Sequence, residues 1–141
     1  MIHNRVYSVG YEGKTIGAFL AELAENNVSL LVDVRRNALS RKKGFSKKQL
    51  AGFLESKGIG YLHFPELGID SKKRKNLNSE KDYKELFKEY RNELPLKKHE
   101  IEKIEELAGK QRIALMCFEA DKNFCHRSVL GDFLSQEVVH L

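Results

Sequence analysis

Two apolar runs without helical period constrain the fold most: Leu30-Leu31-Val32-Asp33-Val34 and Ile113-Ala114-Leu115-Met116-Cys117-Phe118. A strand that is apolar on both sides must be covered on both faces, which is the habit of parallel sheets. Around these runs the period changes. Ile16, Phe19, Leu20 and Leu23 fall at i, i+3, i+4 and i+7, so residues 15–26 predict an amphipathic helix with Thr15 as N-cap. Ser46 with Gln49 three residues on reads as a capping box; Leu50, Phe53 and Leu54 supply the apolar face, and Gly58 closes the helix. Val6–Val9, ending at Gly10, and Tyr61–Phe64, stopped by Pro65, read as shorter strands. Residues 69–79 are polar, basic and aperiodic, and read as a loop. Ser79 or Asp82 then opens a helix with the stripe Tyr83, Leu86, Phe87 and Tyr90, broken at Pro95. A helix with Ile101, Ile104, Leu107 and Ala108 ends at Gly109, another uses Val129, Leu130, Phe133 and Leu134, and Val138-Val139 is an edge strand. Strands separated by helices imply βαβ units. Residues 1–141 are therefore expected to form a single three-layer α/β domain with a mostly parallel sheet flanked by helices.

The length of 141 residues suits one domain, and 41% apolar with 32% charged residues excludes a mostly disordered chain. No run reaches the ~18 apolar residues of a membrane span, and no signal peptide is read at the N-terminus, so a cytoplasmic protein without a membrane partner is expected. Two cysteines make no disulfide framework, and free thiols are the expectation. The net charge of +5 is unevenly spread. Residues 35–48 hold seven basic residues and no acid, and residues 71–75 hold four more; the remainder carries 14 basic and 20 acidic residues. An acidic body with two basic segments suggests an anionic partner such as a nucleotide or nucleic acid, while the plainer reading is two solvated loops.

In open α/β sheets, ligands bind beyond the carboxyl ends of the strands. Four such ends gather polar and ionisable residues. The first, Ser8-Val9-Gly10-Tyr11-Glu12-Gly13-Lys14-Thr15, has half a P-loop: Gly-Lys-Thr is present, but Ser8 stands where the first Gly belongs. A weaker anion site survives that failure, from Gly13, Lys14 and the backbone amides at the start of the 15–26 helix, and Gly10 and Tyr11 join Lys14 as candidate ligand-binding residues. At the second, Asp33 and Arg35 share one side of a strand, as an orienting pair for anion recognition or as a purely structural ion pair. At the third, Tyr61 and His63 alternate onto one side with Glu66 beyond, to stack on a base or to serve the core.

The fourth runs from Cys117-Phe118-Glu119 to Cys125-His126-Arg127. Three readings stay open there. Cys125 is a nucleophile activated by a helix start and Arg127, with His126 as base or orienter. Alternatively Cys117, Cys125 and His126 bind a metal, although no Cys-x-x-Cys pair supports zinc. Otherwise the cysteines are buried packing. No metal or cofactor is assigned. A phosphatase loop needs Arg six residues after its Cys; here Asn123 and Gly131 stand there.

Taken in order, Tyr7–Gly13, Leu31–Arg35, Ser40-Arg41 with Gly44-Phe45-Ser46, Gly58–Tyr61 with Pro65–Gly68, Cys117–Glu119 and Cys125–Arg127 resemble the domain-of-unknown-function 488 family. One position departs: where the family pattern has Pro two residues before its Ser, this chain has Ala38. The resemblance implies a single α/β domain and supplies no reaction. It also implies a site drawn from Asp33, Arg35, Ser40, Arg41, Tyr61, Glu66, Cys117, Glu119, Cys125, His126 and Arg127.

The expected function is an enzyme or sensor for a phosphate-bearing ligand. Arg35, Arg41 and Arg127 would bind the anion, and Glu119 or Asp33 would act as acid/base. One alternative is a nucleic-acid binding module using residues 35–48 and 71–75. Another is a redox switch built on the cysteines.

Overall fold

The computed structural model describes residues 5–70, 73, 77, 79–119 and 125–141. Five strands form one sheet: β1 (Arg5–Gly10), β2 (Leu30–Asp33), β3 (Gly60–His63), β4 (Ile113–Cys117) and β5 (Glu137–His140). Their order is β3-β2-β4-β1-β5, and every pairing is parallel. The expected mostly parallel sheet is thus wholly parallel, and Val138-Val139 lies in edge strand β5, as the pattern indicated.

Among the described residues five α-helices cover the sheet: α1 (Ile16–Glu25), α2 (Lys47–Ser56), α3 (Glu80–Glu93), α4 (Lys98–Lys110) and α5 (Arg127–Gly131). Alternation along the strands separates two cores. Tyr7, Val9, Leu31, Ala114 and Met116 meet Phe19, Leu20 and Leu23 of α1 and Leu50 and Leu54 of α2. Val6, Val32, Ile113 and Leu115 meet Leu86 and Tyr90 of α3, Ile101 and Ile104 of α4, and Val129 and Leu130 of α5 on the opposite face. The chain moves across the sheet one way from β1 to β3 and the other way from β3 to β5. Crossovers of one hand must then leave on opposite faces.

Local signals explain most of the element ends. Thr15 Oγ1 accepts from Ala18 N at 3.1 Å as the N-cap of α1. Ser79 and Asp82, the two candidate starts of α3, act together as a reciprocal capping box. Gly58 takes φ +72° just beyond α2, the left-handed conformation expected of a helix stop. The capping box at Ser46 does not form. Ser46 Oγ instead accepts from Ser40 N at 3.0 Å and donates to Ser40 O at 3.1 Å, while Gln49 Oε1 accepts from Gly44 N. The competing local bonds draw both side chains into the 40–46 loop. The last helix is also shorter than its apolar stripe: α5 ends at Gly131, and Phe133 and Leu134 follow in turns. No helix among the described residues is long and apolar enough to cross a membrane.

Candidate functional site

β4 lies between β1 and β2, yet its connection leaves on the opposite face from theirs. The crevice between diverging loops is where open α/β sheets bind ligands. A cavity of about 400 Å³ opens there, lined by Tyr11 after β1, by Arg35, Arg36, Asn37, Leu39 and Ser40 after β2, by Ile69, by Cys117 and Phe118 at the end of β4, and by His126 at the start of α5. That volume falls within the usual range for small-molecule sites.

The wall on the α1/α2 face is built around Asp33. This carboxylate is fully buried and accepts from Arg35 Nε (2.9 Å), Arg35 Nη2 (2.7 Å), the Arg35 backbone N–H (3.0 Å) and the Tyr61 hydroxyl (2.6 Å). Arg35 Nη1 also donates to Phe45 O at 2.7 Å and Tyr11 Oη at 3.2 Å. Burial alone would lower the Arg35 pKa, but the hydrogen bonds and charge of Asp33 outweigh it and raise it. Burial raises the Tyr61 hydroxyl well above its usual range, and the hydrogen bond to Asp33 raises it further. The Tyr11 ring stacks on Phe45 at 4.4 Å, and Phe118 stands edge-on to Tyr11 at 5.3 Å. His63 Nε2 lies 2.6 Å from Arg35 O; a carbonyl only accepts, so this nitrogen carries the proton.

The other wall is sulfur-rich. The expectation of free thiols is overturned: Cys117 and Cys125 are joined by a disulfide. The two cysteines, eight residues apart, lie on the same face of the sheet where α5 returns over the end of β4. In this state neither sulfur is a nucleophile. Arg127 is fully buried; its Nε donates to Ser8 Oγ, and its Nη1 donates to Cys117 Sγ at 3.2 Å and Glu119 O at 2.6 Å. His126 Nε2 donates to Val34 O at 2.8 Å, and its Nδ1 faces Cys125 Sγ at 3.9 Å.

The structure brings Tyr11, Arg35, Ser40, Cys117 and His126 to one cavity. Asp33 and Tyr61 stand behind Arg35, and Cys125 and Arg127 stand behind Cys117. Glu119 is half-buried beside them, with Oε2 3.7 Å from Cys117 Sγ. Other expected site residues lie apart from the lining. Lys14 pairs with Glu22 of α1, while Glu66 and Arg41 are exposed. Gly10 is buried in the sheet opposite Cys117. Lys73 is exposed and paired with Glu89 and Glu93, whose hydrogen bonds raise its pKa, Glu89 foremost. Lys72, Arg74 and Lys75 of the second basic segment lie outside the described residues, as do 120–124 of the Cys117–Arg127 stretch.

Several residues of the site carry a signal that reasoning from residue type passes over. Ser8 is a polar residue on the inward side of a buried strand, which calls for a buried partner. Leu39 (80% exposed) and Phe118 (43% exposed) are apolar side chains left at the cavity rim. Gly68 reads in the sequence only as part of a motif. A Cβ there would stand 2.1 Å from Arg36 N, so the turn 65–67 and its following glycine brace the Arg35–Arg36 backbone directly.

The profile of the family described as "Domain of unknown function DUF488" matches residues 15–134. The chain belongs to this family. The match spans the Asp33–Arg35 pair, the 40–46 loop, Gly68, both cysteines and the His126-Arg127 pair, and begins after Tyr7–Gly13. No curated protein and no solved structure matches the chain.

Proposed function

We propose that this DUF488 protein binds a phosphate-bearing ligand, a nucleotide or a nucleic-acid end, in the cavity at the carboxyl edge of the sheet. One observation carries the reading. Arg36, Asn37 and Ser40 offer donors around the cavity, and among the described residues none of those lining it is acidic. The buried Asp33 is turned away into Arg35 and Tyr61. Arg35 serves this site as a fixed wall whose charge Asp33 balances, rather than as a mobile clamp, because Asp33, Tyr11 and Phe45 already hold its donors. Arg36 is exposed and is the cation for the phosphate. Leu39 and Phe118 offer apolar surface to a base or sugar. In the enzyme form of the proposal, set in the cytoplasm, Glu119 is the acid/base.

Calorimetric titration tests this with nucleoside monophosphates, the matching nucleosides and 5′-phosphorylated oligonucleotides. Binding should require the phosphate. Arg36→Ala should weaken it about tenfold or more, as loss of a charge-assisted bond does, with an unchanged melting temperature. Equal binding of nucleoside and nucleotide, or no binding of either, would overturn the proposal.

A second reading is favoured by one feature of the first basic segment. Arg41, Lys43, Lys47 and Lys48 are exposed, and among the described residues they have no ion pair, unlike Lys73. A nucleic-acid backbone running over this surface would reach the same cavity rim. The redox reading is favoured by the disulfide itself, since in reducing compartments such bonds are usually catalytic or sensing.

A further inference from the structure

The Cys117 and Cys125 sulfurs and one ring nitrogen of His126 all lie within 4.8 Å of one another, and all three residues are buried. The anion reading uses none of these atoms. His126 donates Nε2–H to Val34 O at 2.8 Å, so in the neutral ring Nδ1 carries the lone pair, and Nδ1 is the nitrogen that faces Cys125. Metal-bound histidines are held this way, with one nitrogen fixed on a carbonyl and the other ligating. On the far sulfur, Arg127 Nη1 donates to Cys117 Sγ at 3.2 Å and favours a thiolate there. Two thiolates and an imidazole form a soft donor set suited to zinc, and three protein ligands with one open position are the catalytic form of such a site. A disulfide lacks the anionic sulfurs that this chemistry needs. The bonded and the metal-loaded states therefore exclude each other.

We infer that Cys117, Cys125 and His126 form a redox-gated site for a thiophilic divalent cation, zinc foremost, filled only when the disulfide is reduced. A dithiol reductant supplies two electrons and two protons. Its two S–H bonds become one disulfide, and the Cys117–Cys125 bond becomes two thiols. The cation then displaces the two thiol protons to solvent as both sulfurs and Nδ1 coordinate. Cys117 and His126 line the cavity, so the loaded ion borders it. The site stands whether or not the cavity takes a phosphate.

The full chain, reduced anaerobically with a dithiol and desalted, is titrated with Co²⁺ as the probe. One equivalent should produce thiolate-to-cobalt charge-transfer absorption that Zn²⁺ then bleaches, and the oxidised chain should give none. Cys125→Ser should abolish the absorption. His126→Ala should weaken binding by more than the roughly 10–100-fold that loss of an outer-shell partner causes. A readout on the unaltered chain guards against misfolded variants: Zn²⁺ should protect both cysteines of the reduced protein from alkylation. Absent charge-transfer bands, unprotected cysteines, or equal bands from the oxidised chain would each overturn the inference.

Discussion

The Tyr61 hydroxyl on β3 donates to Asp33 Oδ2 on β2 at 2.6 Å, and the same oxygen accepts from Arg35 Nη2 at 2.7 Å. A neutral tyrosine therefore completes a buried ion pair. The raised Tyr61 pKa gives alkaline stability a definite sign. Above the ordinary tyrosine value of about 10, the unfolded chain releases this proton while the folded chain keeps it. Stability from this group is complete below that pH and falls as pH rises toward the folded value. Urea midpoints between pH 9 and 11 should show a fall for wild type that is one proton shallower for Tyr61→Phe. Identical slopes would remove Tyr61 as the cause.

Arg35→Ala should destabilise the protein by about 3–5 kcal/mol, because it leaves the Asp33 carboxylate buried without its charge partner. Arg36→Ala, one residue on and exposed, should shift stability by no more than about 0.5 kcal/mol. Denaturant melts of the two variants side by side make the comparison. Equal losses would mean that the ion pair is not what holds this end of β2.

Ser8 lies 119 residues before Arg127 and accepts from its Nε. Ser8→Ala removes a hydrogen bond to a charged group that is itself fully buried, so it should cost about 1.5–3 kcal/mol. Chemical denaturation measures this, and a loss within error would show that Arg127 finds another acceptor.

Gly68→Ala should cost about 1–3 kcal/mol through overpacking against the Arg36 backbone. It should also reduce nucleotide affinity, because Arg36 moves with that backbone. If affinity and stability are both unchanged, the turn does not brace the cavity.

For the nucleic-acid reading, affinity for single-stranded oligonucleotide should fall linearly in log salt. Replacing Arg41, Lys43, Lys47 and Lys48 with Gln should flatten that slope by about 0.7 for each phosphate that is no longer neutralised. A salt-independent affinity, or an unchanged slope, would exclude binding of the backbone by this segment.

The sheet was legible because period and composition agree along each strand: Leu30–Val32 and Ile113–Met116 are apolar at every position and are buried on both faces. Thr15 and Ser79 cap as their residue types suggest. Ser46 does not, because a serine has several backbone partners within reach, and the 40–46 loop offers better ones than the helix start. The cavity taken as the candidate site was legible only as a set of strand ends, and the Asp33–Arg35 pairing followed from alternation. Which donors remained for a ligand was not legible. Arg35 is held by the carbonyl of Phe45 and the hydroxyl of Tyr11, partners set by tertiary packing rather than by spacing. The disulfide was hidden for a related reason: a separation of eight residues says nothing of how the chain between turns.

Because β4 sits between β1 and β2, the middle of the sheet is made by a segment that leaves the ribosome only after β1, β2 and β3. Until residues 113–117 emerge, β1 has neither of its neighbours, and the β2–β3 pair presents an open apolar edge. Such long-range pairing is slow, and exposed edges invite association. The nascent chain thus passes through a half-built sheet, and this is the interval in which its strand edges are most exposed. Insertion of β4 ends that interval: it closes the gap between β1 and β2 and carries Cys117 to the face where it meets Cys125.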